Sequence, residues 1–144
     1  MCISLYSHRS QPAVHFNSSH IFKHFFMKLL IVEDSLAVRR LLKSLVEPLA
    51  NEIDECGDGN DAIALYESGR PDFVLMDIDL LGEMDGIAAT RKIKAFERDA
   101  KIIIVTNYNK PDLRAEADKA GAFGYVLKEN LFDVLELLQT NPNH

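Results

Sequence analysis

Two short apolar runs in this chain end in carboxylates: Leu29-Leu30-Ile31-Val32 leads into Glu33-Asp34, and Phe73-Val74-Leu75-Met76 leads into Asp77. Unbroken apolar runs of about four residues between polar signals suit strands buried on both faces of a parallel sheet. If both strands run the same way, their carboxylates meet at one sheet edge. Gathered carboxylates repel, and desolvation adds to the cost. A hard divalent cation such as Mg²⁺ relieves that repulsion, because it takes oxygen ligands and commonly recruits phosphate as well. The pattern points to metal-assisted phosphate chemistry.

From residue 27 the chain alternates strand and helix. Residues 28–32 form the first apolar run, and Ser35 can cap a helix in which Val38, Leu41, Leu42, Leu45 and Val46 fall at helical spacing, ending near Pro48. Ile53 to Cys56 reads as a short strand, and Gly57-Asp58-Gly59 as a turn. A helix over Asp61 to Ser68 should stop at Gly69, and a strand over 72–77 follows Pro71. Gly86 opens a helix with Ile87, Ala88, Ile93 and Phe96, and Lys101 to Val105 is a strand. Pro111 suits the first turn of an Ala-rich helix that runs to Ala120 and ends at Gly121. Phe123 to Leu127 is the last strand, and Leu131, Val134, Leu135 and Leu138 line the last helix. Such alternation predicts the α/β class: a doubly wound, five-stranded parallel sheet with helices on both faces. Ligands in these sheets sit beyond the carboxyl ends of the strands, where strand order reverses.

The length of 144 residues predicts one domain with a core large enough to need no disulfide. All 22 acidic residues and 14 of the 16 basic ones lie in 27–144, which argues against direct nucleic-acid binding. No apolar stretch approaches the roughly 20 residues that span a bilayer, so no membrane role is expected. Cys2 and Cys56 are isolated, which favours a reducing, cytoplasmic setting.

Residues 1–26 differ in kind. They hold Arg9, Lys23 and four histidines (His8, His15, His20 and His24) but no acid. The histidine spacing matches no common ligand motif, and the segment lacks the apolar core of a signal peptide. It reads as a disordered extension before the true start at Met27, with 27–144 as the domain.

The strand carboxyl ends then supply Glu33 and Asp34, Asp77, Thr106 and Lys128. Two carboxylates can hold a metal, and a third can serve as both ligand and nucleophile. A hydroxyl can donate to an oxyanion, and an ammonium can offset phosphoryl charge. Singly, each has a structural reading: an acidic pair after a strand complements a helix dipole, and a lysine is usually solvated. Jointly, one polar group at each of four strand ends fits phosphoryl transfer, which needs positioning and charge neutralisation above all.

At these residues the chain resembles the receiver domains of two-component response regulators. The resemblance covers about 27–140 and rests on Ile31-Val32-Glu33-Asp34-Ser35, Val74-Leu75-Met76-Asp77, Met84-Asp85-Gly86, Val105-Thr106 and Ala120-Gly121-Ala122-Phe123-Gly124-Tyr125-Val126-Leu127-Lys128. It implies a flavodoxin-like sheet of order 2-1-3-4-5. It also implies a stand-alone, chemotaxis-regulator-like protein that is no enzyme, although it assists its own phosphorylation and dephosphorylation. Asp77 then matches the phosphoacceptor, served by a phosphohistidine on a histidine kinase or histidine phosphotransfer protein. Glu33, Asp34 and Asp77 match the Mg²⁺ ligands, with a backbone carbonyl from Asp79. Thr106 matches the switch hydroxyl, Tyr125 the aromatic switch, and Lys128 the phosphate-binding ammonium. A downstream protein target is expected on the 111–139 face.

The chain departs from the family pattern in places. The loop after Asp77 reads Leu80-Leu81-Gly82-Glu83 without the usual proline and is one residue longer than the commonest form. Glu129 replaces the frequent proline after Lys128, and Asn107 is bulkier than the small residue common after the switch hydroxyl. These bear on rates and remove no chemical group. Two other readings compete. Asp77-Ile78-Asp79 looks like the nucleophile motif of haloacid-dehalogenase-type phosphatases, but the acidic pair that should follow the lysine precedes Asp77 instead. A receiver-like binding module that is never phosphorylated is disfavoured by the intact chemical set.

Overall fold

Side chains of the central strands divide by parity between two cores, and that division explains why their sequence is apolar without a break. The computed structural model describes residues 26–140. In it β1 (Lys28–Val32), β2 (Glu52–Cys56), β3 (Phe73–Met76), β4 (Ile102–Thr106) and β5 (Gly124–Leu127) form one parallel sheet of order β2-β1-β3-β4-β5. The helices are α1 (Leu36–Val46), α2 (Gly59–Gly69), α3 (Gly86–Phe96), α4 (Pro111–Ala120) and α5 (Phe132–Gln139). Leu29, Ile31, Phe73, Leu75, Ile103 and Val105 pack with Leu42 and Val46 of α1 and Val134 and Leu138 of α5. Leu30, Val32, Val74, Met76, Ile102 and Ile104 pack on the other face with residues of α2, α3 and α4. The α/β class, five-stranded parallel sheet and two-sided helix cover are those the sequence predicts. The edge strand β2 is less buried and carries charge, with Lys28 reaching Glu52 at 3.3 Å and Asp54 at 3.7 Å.

Side-chain caps start three helices close to the sheet's carboxyl edge. Ser35 Oγ accepts from the Val38 N–H, Asp58 Oδ1 from the Asn60 and Asp61 N–H groups, and Asp85 Oδ1 from the Ala88 N–H. Each such cap contributes about 1 kcal/mol. Asp58 therefore moves the start of α2 forward to Gly59, ahead of the expected Asp61.

Other boundaries shift for physical reasons. Gly69 belongs to α2, and it is Arg70 that adopts the left-handed conformation, at φ 48°. A Cβ at position 69 would lie 3.1 Å from Lys28 Nζ, the flexible end of a side chain. Arg70 is held in place by Glu97 at 3.3 Å and by the Phe96 ring 4.4 Å away. Leu41 is 57% exposed despite its helical spacing, leaving Leu42 and Val46 to fill the core. Lys128–Asn130 forms a short 3₁₀ turn, so α5 begins at Phe132.

Strand order turns back between β1 and β3, which opens a crevice at their carboxyl ends. Among the described residues, no helix is long and apolar enough to cross a membrane. The expectations for the extension 1–26, its four histidines included, lie outside the described residues, Phe26 excepted.

Candidate metal and phosphate site

Backbone hydrogen bonds carry the sheet ladder one residue beyond β1 and β3, and this fixes the acids. The Asp77 N–H donates to Val32 O and the Glu33 N–H to Cys56 O, both at 2.9 Å. Glu33 and Asp77 are buried and Asp34 is exposed, and oxygens of all three carboxylates lie within 4.8 Å of one another. Lys128, just past β5, reaches into this group. Its Nζ lies 2.8 Å from Glu33 Oε2 and 3.0 Å from Asp77 Oδ2.

The electrostatics follow from burial against charge. Desolvation pushes Glu33 up to about 7, although the Lys128 ammonium and the Ser35 N–H oppose it. Asp77 is raised for the same first reason, against the pull of Lys128. Burial works to lower Lys128, but its bonds to Glu33 and Asp77 outweigh that and raise it. The lysine stays charged between two acids that burial would prefer neutral.

Close backbone contacts hold this arrangement. A Cβ on Gly86 would sit 1.9 Å from the Asp77 carbonyl oxygen, so only glycine lets α3 start this near the acid. The Gly86 N–H also donates to Ile78 O at 2.9 Å. Behind the acidic pair, Arg39 NH1 donates to Glu33 O at 2.9 Å, and its Nε lies 3.6 Å from Glu55. The Ser35 N–H donates to Glu33 Oε1 at 3.0 Å, which orients that carboxylate.

Thr106 ends β4 and is fully buried. Its Oγ1 accepts from the Tyr108 N–H at 3.2 Å. Tyr125, on β5, donates its hydroxyl proton to Tyr108 O at 2.7 Å, and the Arg114 guanidinium stacks 4.4 Å from its ring centre. The Asp79 side chain is turned to another use: Oδ2 accepts from the Tyr108 hydroxyl at 2.6 Å. That bond raises the Tyr108 hydroxyl above its ordinary range. The structure thus brings Glu33, Asp34, Asp77 and Lys128 together, and joins Thr106, Tyr125 and Asp79 through Tyr108. Neither Tyr108 nor Arg39 is visible as a site residue in the sequence. One is an aromatic in a loop and the other a basic residue on a helix, and no spacing marks them.

The donor set fits a hard divalent cation. The carboxylates of Glu33, Asp34 and Asp77 gather hard oxygen donors within 4.8 Å of one another, and the Lys128 ammonium offsets only part of their charge.

Residues 29–139 match the family model described as response regulator receiver domain. The chain is 39% identical over 101 residues to chemotaxis protein CheY of Halobacterium salinarum, spanning 70% of this chain and 83% of that protein. It is 40% identical over 112 residues to the transcriptional regulatory protein YdfI of Bacillus subtilis, covering 75% of this chain and 51% of that one. Among solved structures, the CheX–CheY–BeF₃–Mg²⁺ complex of Borrelia burgdorferi superposes with a TM-score of 0.72 at 28% identity, covering 81% of this chain and 89% of that chain.

Proposed function

The chain belongs to the response regulator receiver family, and from that premise we propose that Asp77 accepts a phosphoryl group from a phosphohistidine on a partner histidine kinase or phosphotransfer protein. An Asp77 carboxylate oxygen bonds to phosphorus as the phosphorus–nitrogen bond breaks. The imidazole leaves with the electron pair and takes up a proton. Hydrolysis of the resulting acyl phosphate by water returns free Asp77 and inorganic phosphate.

The observation that carries this reading is the buried Asp77 carboxylate paired with Lys128 at 3.0 Å beside Glu33 and Asp34. Lys128 can follow the charge onto a phosphoryl oxygen. Thr106 Oγ1 already accepts a hydrogen bond, which leaves its own proton for a phosphoryl oxygen. Glu33, Asp34, Asp77 and the backbone carbonyl of Asp79 would hold Mg²⁺, whose positive charge would let the anionic donor approach three carboxylates. The relative from Borrelia, solved with Mg²⁺ and beryllofluoride, supports that assignment by analogy.

Receiver domains are signalling domains, and the output follows from the same site. Thr106 moving toward a phosphoryl oxygen draws Tyr125 with it, changing the surface of α4, β5 and α5 (111–139) that a downstream protein would read. The receiver unit is 27–144, and the cytoplasm is its setting. The family match does not favour the phosphatase alternative, and the gathered Glu33, Asp34 and Asp77 carboxylates speak for phosphate acceptance over a module that is never phosphorylated.

Acetyl phosphate with Mg²⁺ should label the protein at one site, and Asp77→Asn should abolish the label. Labelling that persists in Asp77→Asn refutes the assignment.

A further inference from the structure

Tyr108 makes three hydrogen bonds, each to a different part of the site. Its N–H donates to Thr106 Oγ1 at 3.2 Å, its carbonyl accepts from the Tyr125 hydroxyl at 2.7 Å, and its own hydroxyl donates to Asp79 Oδ2 at 2.6 Å. Thr106 ends β4, Tyr125 lies on β5, and Asp79 follows the acceptor at the end of β3. One loop residue therefore ties together the end of β4, β5 and the loop after β3. The backbone bonds need only a residue at position 108. The bond to Asp79 needs this side chain and a carboxylate two residues past the acceptor.

We propose that Tyr108 is a positioning residue for phosphoryl acceptance: its clasp on Asp79 holds the loop after β4 against the loop after β3, so that Thr106 and Tyr125 are arranged before phosphate arrives. The inference rests on the phosphoacceptor reading above and deepens it. A short bond from a phenol to a carboxylate is charge-assisted, and so stronger than a neutral one. Asp79 is exposed and Tyr108 half-buried, so the bond itself lies at the surface, where it can open and close. A ligand that binds only the closed loop loses apparent affinity in proportion to the fraction of molecules left open. Removing the clasp should cost binding at Asp77 without touching a group there. The competing role is plain packing, since the Tyr108 ring also lies against the core beneath α2, α3 and α4.

Tyr108→Phe keeps the ring and both backbone bonds and removes only the hydroxyl. Beryllofluoride binding at saturating Mg²⁺, followed by titration calorimetry, measures how readily the site closes over Asp77. Tyr108→Phe and Asp79→Ala should each weaken binding about three- to tenfold, the scale on which one charge-assisted hydrogen bond biases a loop. The double variant should be no weaker than the worse single one, because both remove the same interaction. Hydrogen exchange in the free protein should quicken at the Tyr108 amide in both variants. Unchanged or tighter binding in Tyr108→Phe overturns the proposal, and so do additive losses in the double variant. If the wild type shows no binding that Asp77→Asn removes, the phosphoacceptor reading fails and the proposal with it. Intact wild-type binding with an indifferent Tyr108→Phe condemns the clasp alone.

Discussion

Glu33 shows how a single residue can be tuned against its own charge. Its desolvation outweighs the nearby ammonium and leaves the carboxyl titrating at about 7. The ionised form is the penalised one, so this group costs the metal-free fold nothing below its unfolded value of 4.5. The cost grows as pH rises from there to about 7 and is complete above it. Metal binding requires the same proton to leave. Mg²⁺ affinity should therefore fall as pH drops through neutrality, about tenfold between pH 8 and pH 6 for one site titrating at 7. Calorimetric titration at the two pH values checks this. Glu33→Gln should bind more weakly but with a flatter pH profile, and an equally steep profile would show that another group controls the metal. Glu33, Asp34 and Asp77 were legible in the sequence because each ends an apolar run, and a buried strand leaves its next polar residue at the sheet edge. Tyr108 was not legible. Its role depends on the hydroxyl meeting Asp79, which is 29 positions away along the chain.

At the scale of elements, the site depends on how closely helices begin to the strands that feed them. Gly86 is the sharpest case, since α3 starts against the Asp77 carbonyl oxygen, 1.9 Å from where a Cβ would be. Backbone on both sides cannot yield as a flexible side chain can. Gly86→Ala should destabilise the fold by about 2–3 kcal/mol through overpacking, and it should displace Asp77, so that labelling by acetyl phosphate slows even where the protein remains folded. A urea midpoint and a labelling rate test the two effects separately. Gly86→Ala with wild-type values for both would show that the loop has slack the packing does not reveal. The central strands β1, β3 and β4 could be read from sequence because unbroken apolar runs suit strands buried on both faces, whereas the charged edge strand β2 gave a weaker signal. Helix limits were less legible. Asp58 advances α2 by capping it, and Arg70 ends it by taking a left-handed conformation that sequence rules assign to glycine. Gly69 instead sits inside the helix, beside the flexible end of Lys28. At α4 the composition was a fair guide. It buries only Ala117 and Ala120 fully, with Leu113 partly covered, so little apolar area holds it against the sheet. An element so weakly held is a suitable part to move when Thr106 and Tyr125 shift.

For the whole molecule, parity and topology do different work. Parity gives two cores of similar chemistry, one under α1 and α5 and one under α2, α3 and α4. Periodicity alone predicts that much, but any strand order would satisfy it. The order β2-β1-β3-β4-β5 became legible only through the motifs that resemble receivers, and it decides that β1 and β3 are neighbours. Their adjacency turns two separate acidic signals into one metal site. Every element of that site and of the sheet lies from Lys28 onward, and Met27 is already tied in, its N–H donating to Asn51 Oδ1 at 3.3 Å and its carbonyl accepting from the Asn51 N–H at 2.9 Å. The acidic residues also begin only at Glu33, so the segment bearing Arg9 and Lys23 adds positive charge and no carboxylate. A chain starting at Met27 should therefore keep the wild-type urea midpoint, Mg²⁺ affinity and labelling rate. Mixing it with the full-length chain in one labelling reaction makes the comparison direct. If the shorter chain labels faster, residues 1–26 screen the acceptor. If it labels more slowly or unfolds earlier, they belong to the working domain, and the boundary at 27 is wrong.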